Sequence, residues 1–349
     1  MTMDLDLLVL AELNPDVLVS AGDIDLRFGQ VEQLVDNATI TLGSSGAITA
    51  AAAAAQGLRV AVCAVIGDDP IGAWTTELLA GYGVDIECVI RRTGHQTGLS
   101  VVMTRPDGDR AILTYSGTMS ELSRIDVPAD RLRAARHVHA SSFFLQRGLQ
   151  ADLPGLFEDA RIAGATTSLD PGWAPRGEWA AAGPVLSQTD YLLPNAAECR
   201  HLAAALDGRL ARGDHPDQPD DEVSALQAAT ALHRLGPVVA VKLGAAGALA
   251  AGPDILVRVR GRSVVPVDST GAGDSFDAGF IAGLIGDSTV TGSLKRAVST
   301  GSIAVTGWGG TGRLATREEA LDAAAQLTAE HLPHLRADPG NGPGYPDNG

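Results

Sequence analysis

Cysteine is scarce: Cys63, Cys88 and Cys199 are the three in 349 residues, far apart and with no Cys-x-x-Cys pair. That excludes a disulfide framework and a zinc site and leaves buried free thiols as the expectation. Basic charge is also short. Lys and Arg number 26 against 42 Asp and Glu, a net charge of −16, and such a surface repels phosphate backbones and anionic lipid. Neither nucleic acid nor a membrane is an expected partner. No apolar run approaches the roughly 20 residues that cross a bilayer, and Asp4 and Asp6 stand where a secretory leader needs basic residues. A cytoplasmic protein is expected. What the chain has in quantity is glycine, 41 residues, beside 45 % hydrophobic and 19 % charged residues, which is globular usage with many tight turns. At this length a core is easily buried, and global disorder is excluded.

The run 5–10 is continuously apolar, as expected of a strand buried on both faces in a parallel sheet. Residues 17–20 and 24–41 mix alternation with Gly and charge, which suits exposed antiparallel strands. The alanine-rich stretch 47–56, closed by Gly57, predicts a helix, and 59–65 a strand. A helix over 71–82 and a strand over 86–90 follow. Strands 100–104 and 111–115 flank Pro106-Asp107-Gly108, a hairpin signal. These two interruptions of the βα rhythm are assigned to a small lid sheet, from about 15–41 and 97–117. The rhythm resumes with strands 137–140, 166–169 and 191–193 and helices 153–163 and 196–206. Strands 238–242, 248–251 and 255–259, a strand-like run 263–267, and helices 273–285, 293–305 and 317–331 complete a doubly wound sheet. The acidic, Pro-rich stretch 207–222 reads as a surface insertion, and 336–349 as a disordered tail after one domain over 1–335.

The most informative stretch is Asp268-Ser269-Thr270-Gly271-Ala272-Gly273-Asp274-Ser275-Phe276-Asp277-Ala278-Gly279. It joins the strand-like run to an apolar helix. Small residues there let the backbone N–H groups of Gly271, Ala272 and Gly273 converge, and the helix N-terminus adds partial positive charge, so an anion hole is expected. Asp274 would repel a bound phosphate unless it removes a proton from an attacking hydroxyl.

This stretch resembles the second signature of the ribokinase-like (PfkB) carbohydrate kinases. The resemblance implies an α/β fold of three layers, a doubly wound, mostly parallel sheet with a small β-sheet lid. It also implies a catalytic base at Asp274 and an anion hole from Gly271, Ala272 and Gly273 for the transferred phosphoryl group. Residues 10–16 resemble the family's first-strand motif, which places Asn14 and Asp16 on substrate hydroxyls, with Ala11 in place of the usual Gly. Residues 42–47 resemble its Gly-rich substrate loop, through Gly43, Ser44 and Ser45. Ile48 stands where ribokinases carry Asn, and an apolar side chain cannot hold a hydroxyl.

Asn195 and Glu198 match the family's Asn-x-x-Glu, which implies nucleotide binding for the first and an indirect role with Mg²⁺ for the second. Lys242, Gly244 and Gly247 fit the nucleotide-side loop, although Ala246 replaces a frequent basic residue. Residues 307–312 satisfy G-x-G-x-x-G but have Leu332 where a ribose-binding acid belongs, so they are no dinucleotide site. The resemblance instead sets Gly310 near the nucleotide. It implies a potassium-like ion held by Asp268, Thr270 and carbonyls of 306–312. Arg105, Arg110, Tyr115, Phe143 and Phe144 are substrate-side candidates, with Arg110 and Phe144 preferred. The expected activity is ATP- and Mg²⁺-dependent phosphorylation of a hydroxyl of a small sugar or polyol, with a homodimer formed through the lid. The alternatives are a nucleoside kinase, its base pocket supplied by Ile48, Tyr115 and Phe144, and a catalytically silent sugar-binding regulator.

Overall fold

Strand β1 (Leu5–Leu10) is buried along its whole length. Leu8 and Leu10 enter one core while Leu7 and Val9 enter another, because the two-residue period of a strand sends neighbours to opposite faces. A strand apolar on both faces needs a layer on each, and this sets the architecture. The computed structural model describes residues 4–22, 26–105, 110–207, 222–286 and 288–332.

The further strands are β2 (Pro15–Ser20), β3 (Asn37–Leu42), β4 (Val60–Gly67), β5 (Val89–Arg92), β6 (Leu99–Thr104), β7 (Arg110–Tyr115), β8 (Ala135–Ala140), β9 (Thr166–Leu169), β10 (Tyr191–Leu192), β11 (Val238–Lys242), β12 (Gly247–Gly252), β13 (Ile255–Arg260) and β14 (Ala329–His331). Among the described residues the main sheet has ten strands in the order β14-β13-β12-β11-β10-β9-β8-β1-β4-β5. Every pairing from β11 to β5 is parallel, with Leu7 opposite both Val60 and His137. The β11 to β14 edge is antiparallel. A separate four-stranded sheet runs β3-β2-β6-β7. Its outer pairs are antiparallel, while β2 and β6 run parallel with Asp16 opposite Ser100.

The helices are α1 (Ser45–Ala55), α2 (Pro70–Gly81), α3 (Ala129–Ala134), α4 (Arg147–Gln150), α5 (Leu153–Ile162), α6 (Gly183–Leu186), α7 (Ala196–Leu206), α8 (Glu222–His233), α9 (Ala272–Ile285), α10 (Val290–Ala304) and α11 (Arg317–Ala325). Leu156 and Phe157 of α5, Leu202 of α7 and Ala228 of α8 build the core on one face. On the other face Ala47 and Ala50 of α1 and Ile281 of α9 meet β1 and β4, while Phe280 and Leu294 pack over β11 to β13. The expected three-layer fold with a small β-sheet is what forms.

Three local expectations are corrected. The run 263–267 is not a strand: Pro266 has no N–H to donate, Val265 is 85 % exposed, and Val267 and Asp268 donate to the Val305 carbonyl at the end of α10. The helix expected over 317–331 stops at Ala325, and the chain turns into β14, where Val257 faces His331 and β13 gains a neighbour. Helix α8 has no counterpart in the sequence reading. The turn at 106–109, most of the acidic insertion and the tail lie outside the described residues. Among those described, no helix is long and apolar enough to cross a membrane, and the three cysteines are free and buried.

Candidate active site

The turn entering α9 is built by backbone contact. Gly271 has φ +73°, and a Cβ there would lie 2.6 Å from the Gly310 Cα. Both the left-handed conformation and the close approach demand glycine. Asp268 ties this turn to the late glycine-rich loop: one carboxylate oxygen accepts from the Thr270 N–H at 2.9 Å and its hydroxyl at 2.8 Å, the other from the Gly309 N–H at 2.8 Å. The Ala272 N–H donates to the Ser269 carbonyl at 3.3 Å, and the next N–H groups, of Gly273 and Asp274, lie at the helix's positive end, where helix geometry offers them no intrahelical acceptor.

Asp274 sits in that first turn. Its Oδ1 accepts from the Ser45 hydroxyl at 2.6 Å, and its backbone carbonyl from the Thr49 hydroxyl at 3.2 Å. Burial pushes its carboxyl up to about 6, helped by the Asp170 charge and opposed by the Ser45 hydrogen bond, Lys242 and Arg110. A carboxylate raised toward neutrality is suited to take a proton.

The end of β1 supplies the facing wall. Asn14 is 1 % exposed. Its Nδ2 donates to Asp16 Oδ1 at 3.2 Å, while its Oδ1 is buried with no partner among the described residues. Such an atom costs free energy unless a ligand donor meets it. Burial, then the Asp274 charge, pushes the Asp16 carboxyl up to about 7. Gly43 is required here by space, since a Cβ would fall 2.2 Å from Asp16 Oδ1. Ser44 caps α1, accepting from the Ala47 N–H at 3.1 Å and donating to the Glu12 carbonyl. Glu12, buried and pushed up to about 7 by that burial, accepts from the Ser45 N–H at 3.0 Å. Ala11 is accommodated because position 46 is glycine: a Cβ there would come within 2.4 Å of the Ala11 Cβ.

On the other side of the anion hole lies a cleft of about 640 Å³, whose walls include Lys242, Gly244, Gly247, Gly273 and Phe276. Arg262 also lines it, on a strand end held to the 244–247 loop by the Gly261 N–H donating to the Ala246 carbonyl at 3.0 Å. The Lys242 Nζ is 2.9 Å from both Asp170 Oδ2 and Asp277 Oδ2. Asn195 caps α7 in a reciprocal pair with Glu198, each side chain accepting the other's N–H at 2.9 Å. Burial, then the Asp170 charge, pushes Glu198 up to about 7.

The fold therefore gathers Asn14, Asp16, Gly43, Ser44, Ser45 and Asp274 on one side, and Lys242, Gly244, Gly247 and Gly273 on the other. Arg110, on β7, acts through its charge on both Asp16 and Asp274. One expectation fails. Phe144 is 1 % exposed and packs edge-on against Phe143 and Trp179, each with centroids 5.2 Å away, so it is core. Gly310 abuts Gly271 and the Ile48 side chain, so it shapes the turn. Glu12, Asp170, Arg262 and Asp277 were missed as site residues.

Residues 7–317 match the pfkB family of carbohydrate kinases. A ribokinase of Haemophilus influenzae is 28 % identical over 290 residues, covering 82 % of this chain and 88 % of the relative. An ATP-dependent ribose-1-phosphate kinase of Halopiger xanaduensis is 30 % identical over 301 residues, covering 82 % and 90 %. The ribokinase of Thermotoga maritima superposes with a TM-score of 0.76 at 21 % identity over 92 % of this chain and 100 % of its own. The match runs from β1 into α11 and takes in both walls of the site, and by it the chain belongs to the PfkB family of carbohydrate kinases, phosphotransferases acting on sugars or nucleosides.

Proposed function

We propose that the protein transfers the γ-phosphoryl group of ATP to a hydroxyl of a small sugar or polyol. The observation that carries this reading is the position of Asp274. It shares the start of α9 with the first-turn N–H groups, and its charge acts directly on Asp16 at the start of β2. A sugar held by Asn14 and Asp16 offers a hydroxyl to Asp274, which accepts its proton while the oxygen attacks in line. The N–H groups of 271–274 meet the charge on the transferred group. Nucleotide phosphates enter from the cleft side, past Lys242, Gly244 and Gly247.

Mg²⁺, the usual partner of the phosphates, fits the carboxylate oxygens here, where Glu198 is the buried acid beside the Asp170 and Asp274 charges and the Lys242 ammonium. A potassium-like ion fits the hard oxygens of Asp268, Thr270 and the 306–312 carbonyls, Asp268 Oδ2 keeping a lone pair beyond the Gly309 N–H it already accepts. The small sheet closes over the acceptor side and excludes water. Its exposed apolar residues, Ile40 on β3 and Ile112, Leu113 and Tyr115 on β7, support a homodimer formed through it.

The nucleoside reading is weakened, because Phe144 is in the core and the Tyr115 hydroxyl donates to Gln96 Oε1 at 3.0 Å. The deciding experiment is coupled ADP release with Mg·ATP over pentoses, hexoses, sugar acids, sugar phosphates, inositols and nucleosides, with Asp274→Asn in parallel. Turnover of a sugar or polyol that falls at least about a hundredfold in kcat in Asp274→Asn is expected. Near wild-type turnover in the folded variant would remove Asp274 from the role of base. Binding of a sugar with no ADP release would make the chain a regulator.

A further inference from the structure

Beneath Asp274 lies a group of charges whose mutual contacts the phosphoryl-transfer reading does not use. Asp170 follows β9, Lys242 ends β11, and Asp277 stands one turn after Asp274 on the same face of α9. The ammonium of Lys242 bridges the two carboxylates at 2.9 Å each. Oxygens of Asp170, Asp274 and Asp277 lie within 4.8 Å of one another. The Asp277 and Asp170 side chains are 0 % and 8 % exposed and that of Lys242 12 %. Three acids thus share one ammonium in a nearly dry pocket, where charges act strongly on one another.

The charges sort themselves. Burial pushes the Asp277 carboxyl well up, against the pull of the Lys242 charge. Burial acts the same way on Asp170, but the charge of Lys242 outweighs it and holds Asp170 below the usual range. Lys242 stays protonated: burial opposes its charge and the two carboxylates more than restore it. Asp274 feels Asp170 pushing its carboxyl up and Lys242 pulling it down. The other groups acting on it are the Ser45 hydroxyl and Glu12 from the loops around β1 and α1, Asp16 and Arg110 from the small sheet, and Glu198 from α7.

We propose that Lys242 and Asp170 are positioning residues for Asp274: the buried ammonium, held between Asp170 and Asp277, is what allows Asp274 to lose its proton beside the phosphates of a nucleotide. The inference rests on the kinase reading for its purpose but not for its test. Lys242, assigned from the sequence to the nucleotide, then serves the base as well, since its Nζ lies 3.6 Å from where a Gly273 Cβ would be.

The test follows the carboxyl ¹³C signal of Asp274 through a pH titration of the full chain without ligands, assigned by its loss in Asp274→Asn. Lys242→Met is expected to raise the Asp274 midpoint by at least about one pH unit, the scale for losing an adjacent opposite charge. Asp170→Asn is expected to lower it, and the Lys242→Met, Asp170→Asn double variant to return it toward the wild-type value. Should Lys242→Met not fold, Asp170→Asn carries the test alone. An Asp274 midpoint unmoved in Asp170→Asn, or moved upward, overturns the proposal. Absence of sugar-dependent ADP release from the wild type would overturn the kinase reading, a result the titration does not depend on.

Discussion

The Ser45 hydroxyl donates to Asp274 Oδ1 at 2.6 Å across 229 residues of chain. The bond joins the loop that opens α1 to the turn that opens α9, and it favours the ionised carboxylate. Ser45→Ala should therefore raise the acidic limb of the kcat profile, since the folded-state carboxyl, already up at about 6, loses a group that lowers it. Activity would then fall most below neutral pH and recover toward alkaline pH. A uniform fall at all pH values would show that Ser45 only shapes the loop.

The pairing of Asn14 with Asp16 leads to a prediction about the acceptor. Asp16→Ala should weaken kcat/KM for the accepted sugar by about 1.5–3 kcal/mol, the scale of a hydrogen bond to a charged group, while KM for ATP stays near its wild-type value. Equal weakening of both substrates would point to general damage.

Asp268 binds the anion-hole turn to the 307–312 loop, and an ion seated on its oxygens would stiffen both. Turnover is expected to be faster in potassium than in an equal concentration of tetramethylammonium at constant ionic strength, because donors stabilise a transition state only when already aimed. Identical rates with saturating Mg·ATP and sugar would remove the ion from the mechanism.

The exposed face of the small sheet predicts self-association. Leu113→Glu, on a residue 57 % exposed that shares its face of the sheet with Ile40, should convert a dimer to a monomer in sedimentation equilibrium with little change in melting temperature. A wild-type chain that is monomeric at high micromolar concentration would dismiss the interface.

The turn that opens α9 was legible from its own residues, because Asp268 to Asp274 are local to it. Gly43 to Ser45, Asn14 and Asp16 were named only through their resemblance to the family's motifs, and the fold brings Ser45 to Asp274. Asp170 and Asp277 were not legible. Each is an ordinary acid in its own segment, and only the tertiary fold brings both to Lys242. Phe144 misled for the opposite reason: it leaves a strand on the side where ligands bind, yet its ring fills space beside Trp179. The last helix was read too long because nothing in 326–331 announces that β13 has an open edge to fill.

The contact of Gly271 with Gly310 is backbone against backbone, with no side chain between them to lengthen, shorten or repack. The phosphoryl-accepting corner consequently has no adjustable part of its own, and gradual change by substitution is closed to it. The small sheet is different: it forms no strand pairing with the main sheet and presents side chains, Arg110 among them, toward the acceptor acids. A redesign for another acceptor would find its freedom in that sheet, leaving the chemistry at the start of α9 as an invariant fixture around which specificity is exchanged.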